Sequence, residues 1–235
     1  MVIDWDAVKA VRIPEGDCKR VAINGTIVWE KGGLPSEYQQ VEYIQSDGLQ
    51  AIDTGVYPLV DTSITLDFAK TQTLTNDGLM GARSNNTFAI YLYATGRGTQ
   101  ENHSFRGAVA YGNVNSYVTD VNFYNNTDRH TVTAEYTNGG VTVISDGVVT
   151  SLGSSTVPSN LAWYLFACNT NNSIDTGRSA KIKMYACEIS QNGETIRDFV
   201  PCYRIADGEI GMYDLVNGVF YTNSGSGTFI KGEDV

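Results

Sequence analysis

The sequence predicts an all-β protein: an antiparallel β-sandwich preceded by a small N-terminal β-meander. Three observations predict it. Gly (24), Tyr (14) and abundant Thr, Val and Asn suit short strands joined by tight turns, and runs of helix-favouring Ala, Leu, Glu and Lys are almost absent. Apolar and polar residues alternate with period two in several segments, the mark of half-buried strands. Asn-Gly and Asp-Gly pairs punctuate those segments, and such pairs accept the positive φ of tight hairpin turns. A chain of 235 residues is long enough to bury a sizeable core.

Residues 8–30 read as a three-strand meander. Val8 to Ile13 alternates, a turn follows at Pro14-Glu15-Gly16-Asp17, and Asn24-Gly25 joins the strand ending at Ile23 to Thr26-Ile27-Val28-Trp29-Glu30. A piece this short buries too little surface to stand alone, so it needs a docking partner. Lys31-Gly32-Gly33-Leu34-Pro35-Ser36 interrupts any regular element. The expected division is therefore 1–33, an attachment segment, and 34–235, the main domain.

Within the main domain, Ile64, Leu66 and Phe68 face one way and Thr65, Asp67 and Ala69 the other. Phe88 to Tyr93 and Thr131 to Tyr136 repeat the pattern. Leu161 to Cys168 and Ile182 to Ile189 are more continuously apolar, as expected of central strands. Turns are expected at Asn138-Gly139-Gly140, Asp146-Gly147, Asn192-Gly193 and Asn217-Gly218. At least ten strands without an amphipathic helix between them argue for a sandwich rather than βαβ units.

Sixteen basic against twenty-six acidic side chains give a net charge of −10, with no Lys/Arg cluster. Binding to a phosphate backbone draws on such clusters, so no nucleic-acid partner is expected. The longest apolar runs are far too short for a spanning helix, so no membrane insertion is expected. Met1 to Asp6 has neither a basic nor an apolar leader region, which is expected either of cytoplasmic synthesis or of a mature chain with a restored Met. Cys18, Cys168, Cys187 and Cys202 form no CxxC pair and no Cys/His metal pattern, and reduced, mostly buried thiols are expected.

Three ordered stretches go beyond fold class. The first runs Val41-Glu42-Tyr43-Ile44-Gln45-Ser46 to Ile52-Asp53-Thr54-Gly55. The second is Ala180 to Ile189 followed by Arg197-Asp198-Phe199-Val200-Pro201-Cys202. The third is Gly211 to Tyr221 followed by Gly225-Ser226-Gly227-Thr228-Phe229. Over about residues 36–232 they resemble the concanavalin A-like (laminin-G-like) jelly-roll domains of tail, fibre and other virion proteins of phages and prophages of gut bacteria. Related modules occur in bacterial surface proteins. The resemblance implies a jelly roll whose first and last strands lie side by side. It makes Asp53-Thr54-Gly55 a strand-end turn, with Gly55 at a φ other residues resist, and Asp214 a cap for the turn before the Asn217-Gly218 hairpin.

The same fold hosts laminarinase-type glycoside hydrolases, which resemble one another in a Glu-x-Asp-x-(x)-Glu strand carrying nucleophile and general acid. No segment here has that spacing. Glu135 stands alone in its strand, and Glu188 and Glu194 are separated by a turn, so no enzyme activity is expected. There is no G-x-S-x-G elbow. His103 and His130 lie in polar, loop-like surroundings that read as solvated positions rather than bases.

The resemblance also raises calcium, because such domains often hold it on Asp, Asn and carbonyl oxygens at the rim. Asp120, Asn122, Asn125, Asn126 and Asp128 form an oxygen-rich loop of that kind, although turns use the same residues. No other cofactor is expected. Carbohydrate binding pairs aromatic platforms with amides, and the candidates are Tyr91, Tyr93, Tyr111, Tyr117, Tyr124 and Trp163, with Tyr164 beside them. Core or sheet-face packing is the competing reading for each. For docking, the candidates are Ile27, Val28 and Trp29 of the meander.

The expected protein is a non-catalytic virion structural or receptor-binding protein, adhesin-like. Its expected partners are other virion proteins through the N-terminal segment, host-surface glycan, and further copies of itself as a homo-oligomer. The alternative is a free carbohydrate-binding module or a bacterial surface adhesin, at the cell surface or secreted, and a glycoside hydrolase with carboxylates converging from different strands ranks a distant third.

Overall fold

In the computed structural model the described residues are 20–23, 26–30, 33–73, 77–83, 89–94, 105–108, 116–118, 126–137, 140–152 and 160–235. Among them there is no helix. The chain divides into two compact units, Met1–Ser36 and Glu37–Val235.

In the first unit, β1 (Arg20–Ile23) and β2 (Thr26–Glu30) pair antiparallel, with Ile23 opposite Thr26 and a register shift between Val21 and Ala22. The Asn24-Gly25 pair stands between them. The strand expected at Val8 to Ile13 lies outside the described residues.

The second unit opens with three short strands, β3 (Tyr38–Gln40), β4 (Ile44–Gln45) and β5 (Ile52–Asp53). Next come β6 (Thr62–Lys70), β7 (Asp77–Arg83), β8 (Ala89–Ala94), β9 (Phe105–Ala108) and β10 (Ser116–Val118). The middle of the chain supplies β11 (Arg129–Thr137), β12 (Gly140–Ser145), β13 (Val148–Leu152), β14 (Tyr164–Leu165), β15 (Ala167–Thr170) and β16 (Ser173–Ser179). The last five are β17 (Ile182–Gln191), β18 (Glu194–Arg204), β19 (Ile210–Asp214), β20 (Val219–Thr222) and β21 (Ile230–Lys231).

These strands form two sheets. One runs β10-β9-β8-β7-β14-β5, with β15 on β7 and β16 on β15. The other runs β13-β12-β11-β6-β17-β18-β19-β20. Where β17 and β18 diverge from their shared hairpin, β4 pairs with β17 and β3 with β18. β21 then pairs with β4, and Val41 bridges Asp234, so the first and last strands of the unit are neighbours.

The core follows from alternation. In β6, Thr62, Ile64, Leu66 and Phe68 point inward and are buried, while Ser63, Thr65 and Asp67 point outward. Its neighbour β11 buries Val132, Ala134 and Tyr136, and on the outer face Thr65 and Thr133 share a hydrogen bond of 2.9 Å. Leu79, Met80, Trp163, Leu165 and Phe166 from the facing sheet complete one apolar cluster. Each large side chain so removed from water contributes about 1.5–3 kcal/mol.

Closure of the unit explains much of the sequence motif at its ends. Ser224 and Ser226 donate their backbone N–H to the carbonyls of Ala51 and Leu49, and Asn223 Oδ1 accepts from Ala51 N and Gly225 N. A Cβ on Gly225 would meet the Leu49 carbonyl oxygen at 2.2 Å, so this close approach admits only glycine. Asp146-Gly147 and Asn192-Gly193 both have positive φ at both positions, as type I′ hairpins require.

One expectation is corrected. Leu161 to Cys168 is not a single central strand. Phe166 has φ of 66°, and the chain reverses there, so β14 pairs antiparallel with β7 and β15 pairs parallel with the same strand. Such a φ is costly for a bulky residue. It is held by Phe166 N donating to the Leu79 carbonyl at 2.8 Å and by the ring packing 4.9 Å from Phe229. A continuously apolar run carries no alternation from which a reversal could be read.

Candidate binding groove at the sandwich rim

Three loops meet at one end of the second unit: the segment after β5, the β17–β18 hairpin and the β19–β20 turn. The first is shaped by local hydrogen bonds. Asp53 Oδ1 accepts from Gly55 N at 2.9 Å, Thr54 Oγ1 donates to the Trp163 carbonyl at 2.8 Å, and Gly55 adopts φ of 64° as expected. Gln191 at the end of β17 donates from Nε2 to the Tyr57 carbonyl at 3.0 Å and to Thr62 Oγ1 at 3.2 Å. Arg197 in β18 donates from Nε to the Thr54 carbonyl at 3.2 Å and from Nη1 to that of Ile196 at 2.8 Å.

The third loop is organised by Asp214, which is buried at the end of β19. Its Oδ1 accepts from the backbone N–H of Asp198 and of Val216, each at 3.0 Å, and its Oδ2 from Asn217 Nδ2 at 2.8 Å. The carboxylate thus caps the turn, as the sequence led us to expect. Arg197 Nε stands 3.5 Å from the same Oδ2.

Between these loops lies an open groove of about 520 Å³, lined by Gly55, Val56, Tyr57, Leu59, Gln191, Thr195, Ile196, Arg197, Val216 and Asn217. Tyr57, Leu59 and Val216 are 54%, 45% and 47% exposed, so the groove offers apolar surface to a ligand. Gln191 Oε1, Asn217 Oδ1 and Arg197 Nη2 have no hydrogen-bond partner among the described residues. The hydrogen bonds that fix the loops leave these three atoms uncommitted. That combination suits a ligand with one apolar face and several hydroxyls.

On the outer face of the neighbouring ladder, Glu188 stands directly opposite Asp198. Desolvation, with the Glu188 and Asp214 carboxylates nearby, holds the Asp198 carboxyl above the usual carboxylate range. Burial, with Asp53 and Tyr57 adding to it, likewise raises the Tyr164 phenol.

The residues expected to form a site are distributed differently. Tyr91 and Tyr93 lie in β8 and Tyr117 in β10, and the ladder register sets Tyr93, Arg106 and Tyr117 in one row. Tyr111, Tyr124, Asp120 and Asn122 lie outside the described residues. Trp163 is corrected: it is 0% exposed and packs 5.5 Å from Tyr136, so its ring offers no face to a sugar. Asp128 is exposed, and its N–H donates to Asn126 Oδ1 at 2.8 Å. Among the described residues no group of three or more His, Cys, Asp or Glu is arranged to hold a metal. Ile27, Val28 and Trp29 lie in β2, with Trp29 opposite Val21.

His130 is corrected too. It is only 8% exposed, with Nδ1 2.6 Å from Asp146 Oδ2 and Nε2 3.0 Å from Asn126 Oδ1. The inward position in β11 and the turn carboxylate at Asp146 account for this, and a polar sequence neighbourhood concealed it. The groove residues Tyr57, Gln191, Arg197 and Asn217 carry no ligand-contact signature in the sequence. The available signal is two Asn-Gly pairs beside polar residues, together with an aromatic two residues after a strand-end turn.

No family model and no curated protein matches the chain. Among solved structures, the mouse laminin α1 chain domains LG4-5 match at TM-score 0.51 and 18% identity, over 73% of this chain and 49% of that one. This chain has a laminin-G-like jelly-roll fold. It spans about half the length of the laminin structure it matches. The VIP36 exoplasmic/lumenal domain in its Ca2+/Man2-bound form matches at TM-score 0.38 and 13% identity, over 69% of this chain and 86% of that one. SCP-B, an eqolisin-family peptidase in complex with a tripeptide, matches at TM-score 0.32 and 14% identity, over 83% of this chain and all of that one.

Proposed function

We propose that this protein is a non-catalytic, saccharide-binding attachment protein of a phage virion, with the rim groove as its binding site. The observation that carries the binding reading is the groove itself. Tyr57 supplies an exposed aromatic face for the apolar side of a pyranose, and Gln191, Asn217 and Arg197 supply hydrogen-bonding groups around it. Support for the virion setting comes from the three ordered sequence motifs and from a separate N-terminal unit suited to docking on another virion protein. The protein would be made in the bacterial cytoplasm and carried on the particle as an oligomer.

The non-catalytic reading rests on the lining of the groove, which contains no carboxylate to serve as nucleophile or general acid. Glu188 and Asp198 face each other on the ladder but are not among the lining residues. Two measurements test the whole. A glycan array with the intact protein should give saturable binding that Tyr57→Ala weakens by about ten-fold or more at unchanged melting temperature. Peptide mass analysis of purified virions should find the chain as a particle component. No array binding removes the saccharide reading. Binding without particle association favours a free carbohydrate-binding module or surface adhesin.

A further inference from the structure

The groove of this acidic protein is lined by a cation and by no carboxylate. Its ten lining residues include one cation, Arg197, and no carboxylate, in a chain of net charge −10. The buried Asp214 carboxylate stands 3.5 Å behind that cation, so the guanidinium is balanced from within the protein while its outer N–H groups remain the one charged donor of the lining.

Arg197 is also only partly spent. Its Nε and Nη1 are fixed by the Thr54 and Ile196 carbonyls, which orient the guanidinium plane without neutralising it. The nearest anion, Asp214, already accepts from three other donors at 2.8–3.0 Å, and Arg197 is its most distant polar neighbour at 3.5 Å. Nη2 has no acceptor among the described residues. Gly55, which the turn needs for its φ of 64°, lies beside this group: a Cβ there would stand 3.8 Å from Nη2, in ordinary contact. A fixed, partly buried guanidinium edge with free N–H groups is what a ligand carboxylate takes up through charge-assisted hydrogen bonds.

From these observations we infer that the groove selects an acidic saccharide, with the sugar ring on Tyr57, its hydroxyls donating to Gln191 Oε1 and Asn217 Oδ1, and its carboxylate on Arg197 Nη2. The inference rests on the saccharide reading of the groove and adds the charge of the ligand. It also separates this site from one for neutral sugar, which would need no cation. Nothing covalent is involved, and the step is binding alone.

The test uses matched pairs. Trisaccharides of galacturonate, glucuronate and mannuronate are titrated into the intact protein beside their methyl esters, which keep the shape and remove the charge. For at least one pair the acid should bind about ten-fold more tightly than its ester, and its affinity should fall as salt rises. Arg197→Gln should abolish the difference between acid and ester, and Tyr57→Ala should weaken both. If Arg197→Gln does not fold, Arg197→Lys should retain preference for the acid at reduced affinity, because charge remains while the planar fork is lost. Equal binding of acid and ester overturns the carboxylate inference and leaves the saccharide reading standing. Binding of an oligoglutamate peptide as tight as that of the best acid sugar also overturns it, since recognition would then be of charge alone. Failure of every acid to bind, alongside neutral glycans that do, overturns it as well. Failure of acids, esters and neutral glycans together overturns the saccharide reading itself.

Discussion

Arg197 donates from Nε to the carbonyl oxygen of Thr54 at 3.2 Å across a sequence separation of 143 residues. This bond ties the β17–β18 hairpin to the turn that follows β5. The same guanidinium approaches the buried Asp214 carboxylate, so three loops of the rim share one electrostatic anchor.

Removal of that anchor should be costly. Asp214→Ala leaves the N–H groups of Asp198 and Val216 without an acceptor and strips Arg197 of its nearest anion. Loss of one member of a buried charged cluster typically costs about 3–5 kcal/mol. Urea denaturation should show a loss near the lower figure, with Asp214→Asn milder because it keeps an acceptor oxygen. A change under about 1 kcal/mol for Asp214→Ala would mean that water replaces the carboxylate freely.

Much of the fold was legible from residues 62–70 and 129–137, where the inward set Ile64, Leu66, Phe68, Val132 and Ala134 alternates with polar neighbours. Turn chemistry was equally readable, because Asn192-Gly193 and Gly55 need a φ that few residues accept. Phe166 was not readable, since its reversal is imposed by Leu79 and Phe229 from distant strands. The groove was hidden for a related reason. Tyr57, Gln191, Arg197 and Asn217 come together only through sheet register, whereas the aromatic density between residues 91 and 124 is visible in the sequence itself. Local density is weak evidence for a site built from separated loops.

A buried ion pair at the start of the facing sheet gives a second stability test. Lys70 Nζ lies 3.0 Å from Asp77 Oδ2, and both side chains are almost wholly buried. Asp77 Oδ1 also accepts from Lys181 N at 2.7 Å. Lys70→Met should therefore cost about 3–5 kcal/mol by leaving a buried carboxylate without its cation. The double variant Lys70→Met/Asp77→Leu should recover most but not all of it, because Lys181 N–H stays unpaired. Full additivity of the two single losses in denaturation experiments would contradict the pairing.

Three thiols link stability to alkaline pH. Burial pushes Cys168 and Cys202 up to about 12 and Cys187 well above its usual value of 9.0. Above pH 9 the unfolded chain releases these protons while the folded chain keeps them, so stability falls as pH rises toward 12. Each thiol contributes a slope of about 1.4 kcal/mol per pH unit in that window. Lys70, whose ammonium is lowered by burial, acts in the opposite sense below its usual 10.5. Cys168→Ala should flatten the alkaline limb measured by chemical denaturation. At pH 8 all three thiols should react with iodoacetamide only after unfolding.

The Glu188–Asp198 pair gives the last test. Like charges directly opposite on an antiparallel ladder repel, and here the Asp198 carboxyl is also partly desolvated. Its raised value means that the folded chain holds the proton to higher pH than the unfolded chain does. Between the usual 3.8 and the raised folded value, stability therefore falls as pH rises, and the ionised Asp198 is a net cost at neutral pH. Asp198→Asn removes that cost. The variant should melt roughly 1–2 °C higher than the parent at pH 7, a modest gain because the site is partly solvated. The gain should vanish below pH 3.8, where the parent carboxyl is protonated in both states. Glu188→Gln should give a smaller gain of the same sign, and the double variant should gain less than the sum, since each substitution removes the same repulsion. A neutral-pH loss of melting temperature in Asp198→Asn would show that the carboxylate accepts a bond worth more than the repulsion, and a role for the pair beyond ladder packing would then follow.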